Sequence, residues 1–117
     1  MRHSVLIVDD HAEFRRVARA LLEAEGFEVV GEAADGESAL LQTARLRPSL
    51  VLLDVHLPDS DGFELAARLA QGADPPAVVL TSSRTIGSFR RRLAASSALG
   101  FIAKSELSGA ALAALGA

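Results

Sequence analysis

The chain has 117 residues, half of them hydrophobic, a formal charge of −3 and no cysteine. That length suffices for one domain with its own core, the apolar content excludes a disordered tail, and the lack of cysteine excludes a disulfide framework and agrees with the cytoplasm. No apolar run approaches the ~20 residues of a membrane span, Met1-Arg2-His3-Ser4 is followed by too short an apolar run for a signal peptide, and the charge leaves no footprint for direct nucleic-acid binding.

Val5-Leu6-Ile7-Val8 is an uninterrupted aliphatic run that ends in Asp9 and Asp10. A run without alternation predicts a strand buried on both faces, as in a parallel sheet covered by helices. From Ala12 the period changes. Phe14, Val17, Ala18, Leu21 and Leu22 share one helical face, and Gly26 ends that helix. Phe27 to Ala33 reads as a more polar strand nearer an edge. After the Asp35-Gly36 turn, Ala39, Leu40, Thr43 and Ala44 mark a second helix that stops before Pro48.

Leu50-Val51-Leu52-Leu53 is a second buried run and delivers Asp54 to the strand's carboxyl end. That is the edge where open α/β sheets keep their ligand sites. Pro58 ends regular structure. Asp61 caps the next helix, with Glu64 placed as a capping-box partner, and Leu65, Ala66, Leu69 and Ala70 form its apolar face. Gly72 to Pro76 is loop. Ala77-Val78-Val79-Leu80 then runs into Thr81-Ser82-Ser83. A fourth helix is predicted over 85–97, with Ile86, Phe89, Leu93 and Ala94 inward and Arg90, Arg91 and Arg92 mostly outward. Gly100-Phe101-Ile102-Ala103 is a short strand ending at Lys104, and Leu107 to Leu115 is an alanine-rich helix. Five alternations of strand and helix predict a three-layer α/β sandwich around a parallel sheet with right-handed crossovers.

A parallel sheet gathers all its strand ends at one edge. Asp9 and Asp10, Asp54, Thr81 and Lys104 therefore converge on one small volume. Three carboxylates that close repel by roughly 1–4 kcal/mol per pair near a surface. One lysine offsets one of the charges and a divalent ion offsets the other two. The donors are carboxylates, cysteine is absent and the three histidines have no ligand-like spacing, so Mg²⁺ is expected over zinc. An ion, a lysine and a hydroxyl together make a receptacle for a phosphoryl group. Lys104 pairs with one oxygen, Thr81 donates to another, and the central Asp54 is the nucleophile that carries an acyl phosphate. Lys104 is the one lysine among twelve basic residues, at a place where a compact point charge serves and a guanidinium does not.

With these residues in place the whole chain resembles the receiver domain of bacterial two-component response regulators. The resemblance rests on Asp9-Asp10, Asp54, Pro58-x-x-Asp61-Gly62, Thr81 followed by small Ser82, and Lys104 three residues after Phe101. It implies one receiver domain over residues 1–117, with five helices and strand order 2-1-3-4-5. It also implies phosphotransfer from a histidine kinase or phosphotransfer protein, and Mg²⁺ held by Asp10, Asp54 and the main-chain carbonyl of His56, with Asp9 acting through a metal-bound water. His56 and Ser83 take the positions that tune phosphoryl lifetime, and Thr81 and Phe101 those of the switch. Such a domain is a phosphoacceptor rather than an enzyme for a separate substrate. Two positions depart from the common pattern: Ser105 stands where proline often follows the lysine, and Leu57 where methionine is common.

The output face on this resemblance is the fourth helix, fifth strand and last helix, carrying Arg84, Arg90, Arg91 and Phe101 beside Ala110, Ala111 and Ala114. It would dock an output domain or partner protein, or a second copy after phosphorylation. A flavodoxin-like mononucleotide binder shares the architecture, but Asp9-Asp10 would repel its phosphate. A haloacid-dehalogenase-type phosphatase needs an aspartate where His11 stands. Two readings stay open beside the main one: a phosphorylation-independent interaction module, and a receiver cut from a longer DNA-binding regulator, the subfamily that Asp9-Asp10-His11 and Lys104-Ser105 resemble.

Overall fold

The structure is a computed structural model that describes residues 3–84 and 86–117, with the side chain of Ile86 also left aside. In chain order the elements are β1 (Ser4–Val8), α1 (Ala12–Ala24), β2 (Glu28–Ala33), α2 (Gly36–Leu46), β3 (Leu50–Asp54), α3 (Gly62–Ala70), β4 (Ala77–Ser82), a 3₁₀ turn (Ile86–Ser88), α4 (Arg90–Ala95), β5 (Gly100–Ala103), a second 3₁₀ turn (Lys104–Glu106) and α5 (Gly109–Ala114). The sheet order is β2-β1-β3-β4-β5, and every pairing is parallel.

Period-2 alternation in each strand splits the core into two layers. Leu6, Val8, Val51, Leu53 and Leu80 face one way, packed with Ala39 of α2, Phe63, Leu65, Ala66 and Leu69 of α3, and Phe89. Val5, Ile7, Leu50, Leu52 and Val79 face the other way, packed with Ala18 and Leu22 of α1 and Leu112 of α5. The unbroken apolar runs of β1 and β3 thus reflect burial on both faces. The more polar β2 lies at an edge, where its exposed first residue meets solvent.

Helix ends follow local chemistry. Gly26 takes φ +94° just past α1, a left-handed turn in which a side chain would be strained. Asp35 caps α2 by accepting from the Ser38 amide, and Asp61 caps α3 by accepting from the Phe63 and Glu64 amides. The fourth helix is much shorter than predicted over 85–97. Its α-helical part covers six residues, preceded by a 3₁₀ turn containing Gly87 and Ser88. Three arginines at its N-terminal end oppose the helix dipole, and Ser96 leaves the helix in extended backbone while its hydroxyl donates to the Leu93 carbonyl at 2.9 Å. Phe89 is buried as expected, but Ala94 is exposed rather than inward, as are Val17 of α1 and Ala70 of α3. Thr85 and the Ile86 side chain lie outside the described residues. The last helix starts at Gly109 rather than Leu107, because the Ser108 hydroxyl caps it by accepting from the Ala111 amide at 2.9 Å and leaves Leu107 extended.

Gly62 fixes how α3 meets β3. A β-carbon there would sit 2.5 Å from the Asp54 carbonyl oxygen and 2.7 Å from Val55 Cα. Both are backbone atoms with little freedom to move. Gly62→Ala is therefore expected to lower stability by about 2 kcal/mol or more, read as an earlier denaturation midpoint with an unchanged slope.

Candidate functional site: an acidic pocket at the sheet edge

Strand register brings the site together. Val8 pairs with Leu53, so Asp9 follows beside Asp54, and Asp54 pairs directly with Thr81. Ser82 pairs with Ala103, which places Lys104 at the same edge. Asp9, Asp54 and Thr81 continue the alternation that carries Ile7, Leu52 and Val79, so they fall on the α1/α5 side of the sheet. All three are buried, Asp9 completely.

The Lys104 ammonium lies 2.6 Å from Asp9 Oδ2 and 3.2 Å from Asp54 Oδ2. It also sits 4.7 Å above the Phe14 ring, a cation–π contact that walls the α1 side. Asp54 Oδ1 accepts from the His56 amide at 3.1 Å. Burial is the main force raising the Asp54 carboxyl above its ordinary pKa. The His56 amide opposes it, the Asp9 charge adds to it and Lys104 opposes it, with a net shift upward. Burial alone would lower the Lys104 ammonium, but contact with Asp9 and the charges of Asp54 and Asp9 outweigh it and hold it above the usual lysine value.

Asp10 is exposed and completes a cluster in which one ligand atom from each of Asp9, Asp10, His11 and Asp54 lies within 4.8 Å of the others. The donors suit a hard divalent ion. Asp9 Oδ2 is buried and already paired with the Lys104 ammonium at 2.6 Å, so Asp10 and Asp54 offer the more available oxygens. His11 also stands beside these carboxylates, a placement the sequence reading did not single out. Its Nδ1 lies 3.0 Å from Asp9 Oδ1 and 3.1 Å from Asp10 Oδ1.

The loop after β3 is braced on both sides. His56 and Asp61 form an isolated antiparallel bridge, and the Gly62 amide donates to the Val55 carbonyl at 2.7 Å. Asp59, a residue the sequence did not single out, accepts from the Gly36 and Glu37 amides at 2.7 and 3.1 Å. These amides hold its carboxyl below the usual range and tie the loop to the start of α2. Asp61 meets Arg92 of α4 at 2.6 Å, and that guanidinium lies 4.4 Å above the Phe63 ring. Burial would raise the Asp61 carboxyl, but the Arg92 bond and the Phe63 amide outweigh it and keep it low. Glu64 shares the cap only through its amide.

His56 and Ser83 are both exposed, beyond the buried pocket. Phe101 is half-buried, and its ring centroid lies 5.8 Å from Phe89. Phe89 also stands 5.8 Å from His56 and 6.0 Å from Phe63, so it links the loop after β3, α3 and β5. Arg84, Arg90 and Arg91 are exposed, as are Ala110 and Ala114, whereas Ala111 is half-buried. No cis peptide occurs among the described residues, so the Lys104–Ser105 bond is trans. No helix among them is long and apolar enough to cross a membrane.

Residues 5–115 match the family model of the response regulator receiver domain. The chain is 41% identical over 106 residues to the virulence-factor transcription regulator BvgA of Bordetella pertussis, covering 91% of this chain and 51% of that protein. It is 48% identical over 80 residues to protein-glutamate methylesterase/protein-glutamine glutaminase 5 of Myxococcus xanthus, covering 68% of this chain and 23% of that protein. The chain thus spans about half or less of the length of these curated relatives. Among solved structures, the signal receiver domain of the response regulator NarL from Mycobacterium tuberculosis superposes with a TM-score of 0.84 at 32% identity, over 98% of this chain and 97% of that one. The matched span, the strand order and the carboxylates gathered at the sheet edge agree: the chain belongs to the response regulator receiver domain family of two-component systems.

Proposed function

We propose that this receiver is an active phosphoacceptor in which Asp54 takes a phosphoryl group from a histidine kinase or phosphotransfer protein. The observation that carries the reading is Asp54 itself, buried at the sheet edge between Asp9 and the Lys104 ammonium with one oxygen on the His56 amide. Burial keeps this carboxylate poorly solvated and hence more nucleophilic, while Lys104 keeps it charged. An Asp54 oxygen attacks phosphorus, the P–O bond forms, and the bond to the donor's imidazole nitrogen breaks with its electron pair leaving on nitrogen.

Asp10, Asp54 and the His56 carbonyl would hold Mg²⁺, with Asp9 behind them, and the bound ion supplies positive charge for the incoming phosphoryl oxygens. Lys104 lies close enough to pair with one of those oxygens, and Thr81, beside Asp54 in register, offers its hydroxyl to another. The Thr81 response would pass through the packing around Phe101 to the face bearing Arg84, Arg90 and Arg91, shifting a population rather than making a new fold. That face would dock an output domain, a partner or a second copy. The half-length match to a transcription regulator supports DNA binding by an output domain elsewhere in the whole protein, not by this domain. The residues serve uptake and loss of the domain's own phosphoryl group, not turnover of another substrate. The setting is the cytoplasm, where nucleotide-fed kinases act.

Incubation with acetyl phosphate tests the reading. One phosphoryl group per chain is expected with Mg²⁺ and none after chelation; uptake that ignores Mg²⁺ would contradict it. His56 and Ser83 are placed to flank a hydrolytic water, and His56 is the bulkier obstacle. His56→Ala is expected to speed decay of the phosphorylated protein severalfold. A clear slowing would instead assign the imidazole to orienting that water.

A further inference from the structure

We propose that Asp59 is a positioning residue for the phosphoacceptor: by clamping the tip of the β3–α3 loop onto the start of α2, it holds His56 where its amide orients Asp54. The consequence for phosphorylation rests on the phosphoacceptor reading; the clamp itself does not.

Asp59 Oδ1 accepts from the Gly36 amide at 2.7 Å and Oδ2 from the Glu37 amide at 3.1 Å, across 23 and 22 residues of chain. A carboxylate on the first two amides of α2 also meets the positive end of the helix dipole. The helix does not need it as a start signal. Asp35 already caps α2 locally by accepting from the Ser38 amide at 2.8 Å. What Asp59 adds is a bond between two distant segments. The fit is close: a β-carbon on Gly36 would press on Ser60 Oγ and lie 3.2 Å from Asp59 Oδ1, so the loop seats directly on the first turn of α2.

The other bonds of the loop make that seat bear on Asp54. The Leu57 amide donates to the Ser60 carbonyl at 3.2 Å, the Gly62 amide to the Val55 carbonyl at 2.7 Å, and His56 bridges Asp61. These bonds close the loop into one small unit without fixing its tilt. Asp59 holds that unit on the α2 side, three residues from His56, whose amide reaches Asp54 Oδ1 at 3.1 Å. A loop lifted from α2 therefore misaligns the bond that aims the nucleophile. Asp59 is exposed, so replacing it leaves the core intact. The simpler explanation is that Asp59 only stabilises α2, and removing Asp35 would then have the same consequences.

Hydrogen exchange of the His56 amide in metal-free protein, and the initial rate of phosphoryl uptake from acetyl phosphate at saturating Mg²⁺, test this in wild type, Asp59→Ala, Asp59→Asn and Asp35→Ala. Asp59→Ala is expected to speed His56 exchange about fivefold and to slow uptake by a similar factor, the scale of losing one helix-capping carboxylate. Asp59→Asn keeps an acceptor oxygen and should fall between Asp59→Ala and wild type. Asp35→Ala weakens the same helix end but leaves the partners of Asp59 in place, so both readouts should stay close to wild type. Exchange that is unchanged in Asp59→Ala, or that speeds equally in Asp35→Ala, overturns the clamp. Faster exchange with unchanged uptake overturns its positioning role. A wild type that takes up no phosphoryl group overturns the phosphoacceptor reading, and the exchange still decides the clamp.

Discussion

Phe89→Ala is expected to cost about 3–4 kcal/mol, the largest effect of any single substitution considered, whereas Phe101→Ala costs about half as much. Phe89 is 5% exposed and its ring is within 6.0 Å of His56, Phe63 and Phe101. Truncation would leave a cavity at the junction of the loop after β3, α3 and β5. Phe101 is half-buried, with less surface to lose. Chemical denaturation separates the two variants. The same ring is placed to carry a change at Asp54 to the outer face, since it lies beside His56, two residues past Asp54, and beside Phe101. With beryllofluoride and Mg²⁺, amide shifts around Asp9, Asp54 and Thr81 should persist in Phe89→Ala, while those at Phe101 and α5 shrink. Undiminished shifts at Phe101 and α5 would place the route elsewhere.

The next largest effect concerns charge. In metal-free protein, Lys104→Ala is expected to lower stability by about 2–4 kcal/mol, because it leaves two buried carboxylates facing each other without a cation. At this chain length that is a fall in Tm of ~8–16 °C. Asp54→Asn should do the reverse and raise stability by about 1–2 kcal/mol, since it removes the repulsion with Asp9. The pH window follows from the sign of the Asp54 shift. Its folded pKa is raised, mainly by burial, so the native state holds more protons than the unfolded chain between the two values. The ionised Asp54 is therefore a cost that is present in full above the folded pKa and absent below the unfolded value of ~3.9. The advantage of Asp54→Asn should appear at neutral pH and fade as pH falls through that window. Lys104 has a raised pKa, so its contribution is intact at neutral pH and is lost only as pH climbs through the folded lysine value. Thermal melts at pH 7 and in acid, with EDTA present, read both. A destabilised Asp54→Asn protein at pH 7 would show that the pocket is charge-balanced without metal.

The sheet was legible because β1, β3 and β4 are apolar without alternation, a pattern that fits burial on both faces and little else. The site was legible for a related reason: once strands are parallel, residues just past their ends must share an edge, so Asp9, Asp54, Thr81 and Lys104 meet without any knowledge of the loops. What the sequence could not show depended on side-chain direction or on competition at helix ends. Val17 and Ala94 adjoin the inward-facing residues Ala18 and Leu93 in sequence, yet sit at the margin of their faces and meet solvent. The length of α4 was set against its periodicity by three arginines at the dipole's positive end and by Ser96. The pairing of Arg92 with Asp61 spans 31 residues and carries no local signal. The contact of the His11 ring with Asp9 and Asp10 likewise depends on side-chain direction, which adjacency in sequence does not fix.

The central claim is that Asp54 is the phosphoacceptor, and intact-protein mass spectrometry after acetyl phosphate and Mg²⁺ tests it most directly. Wild type is expected to gain one phosphoryl group that hydroxylamine removes, mapped by peptide sequencing to Asp54, and Asp54→Asn to gain none. A hydroxylamine-sensitive phosphoryl group acquired by Asp54→Asn at the wild-type rate would contradict the account.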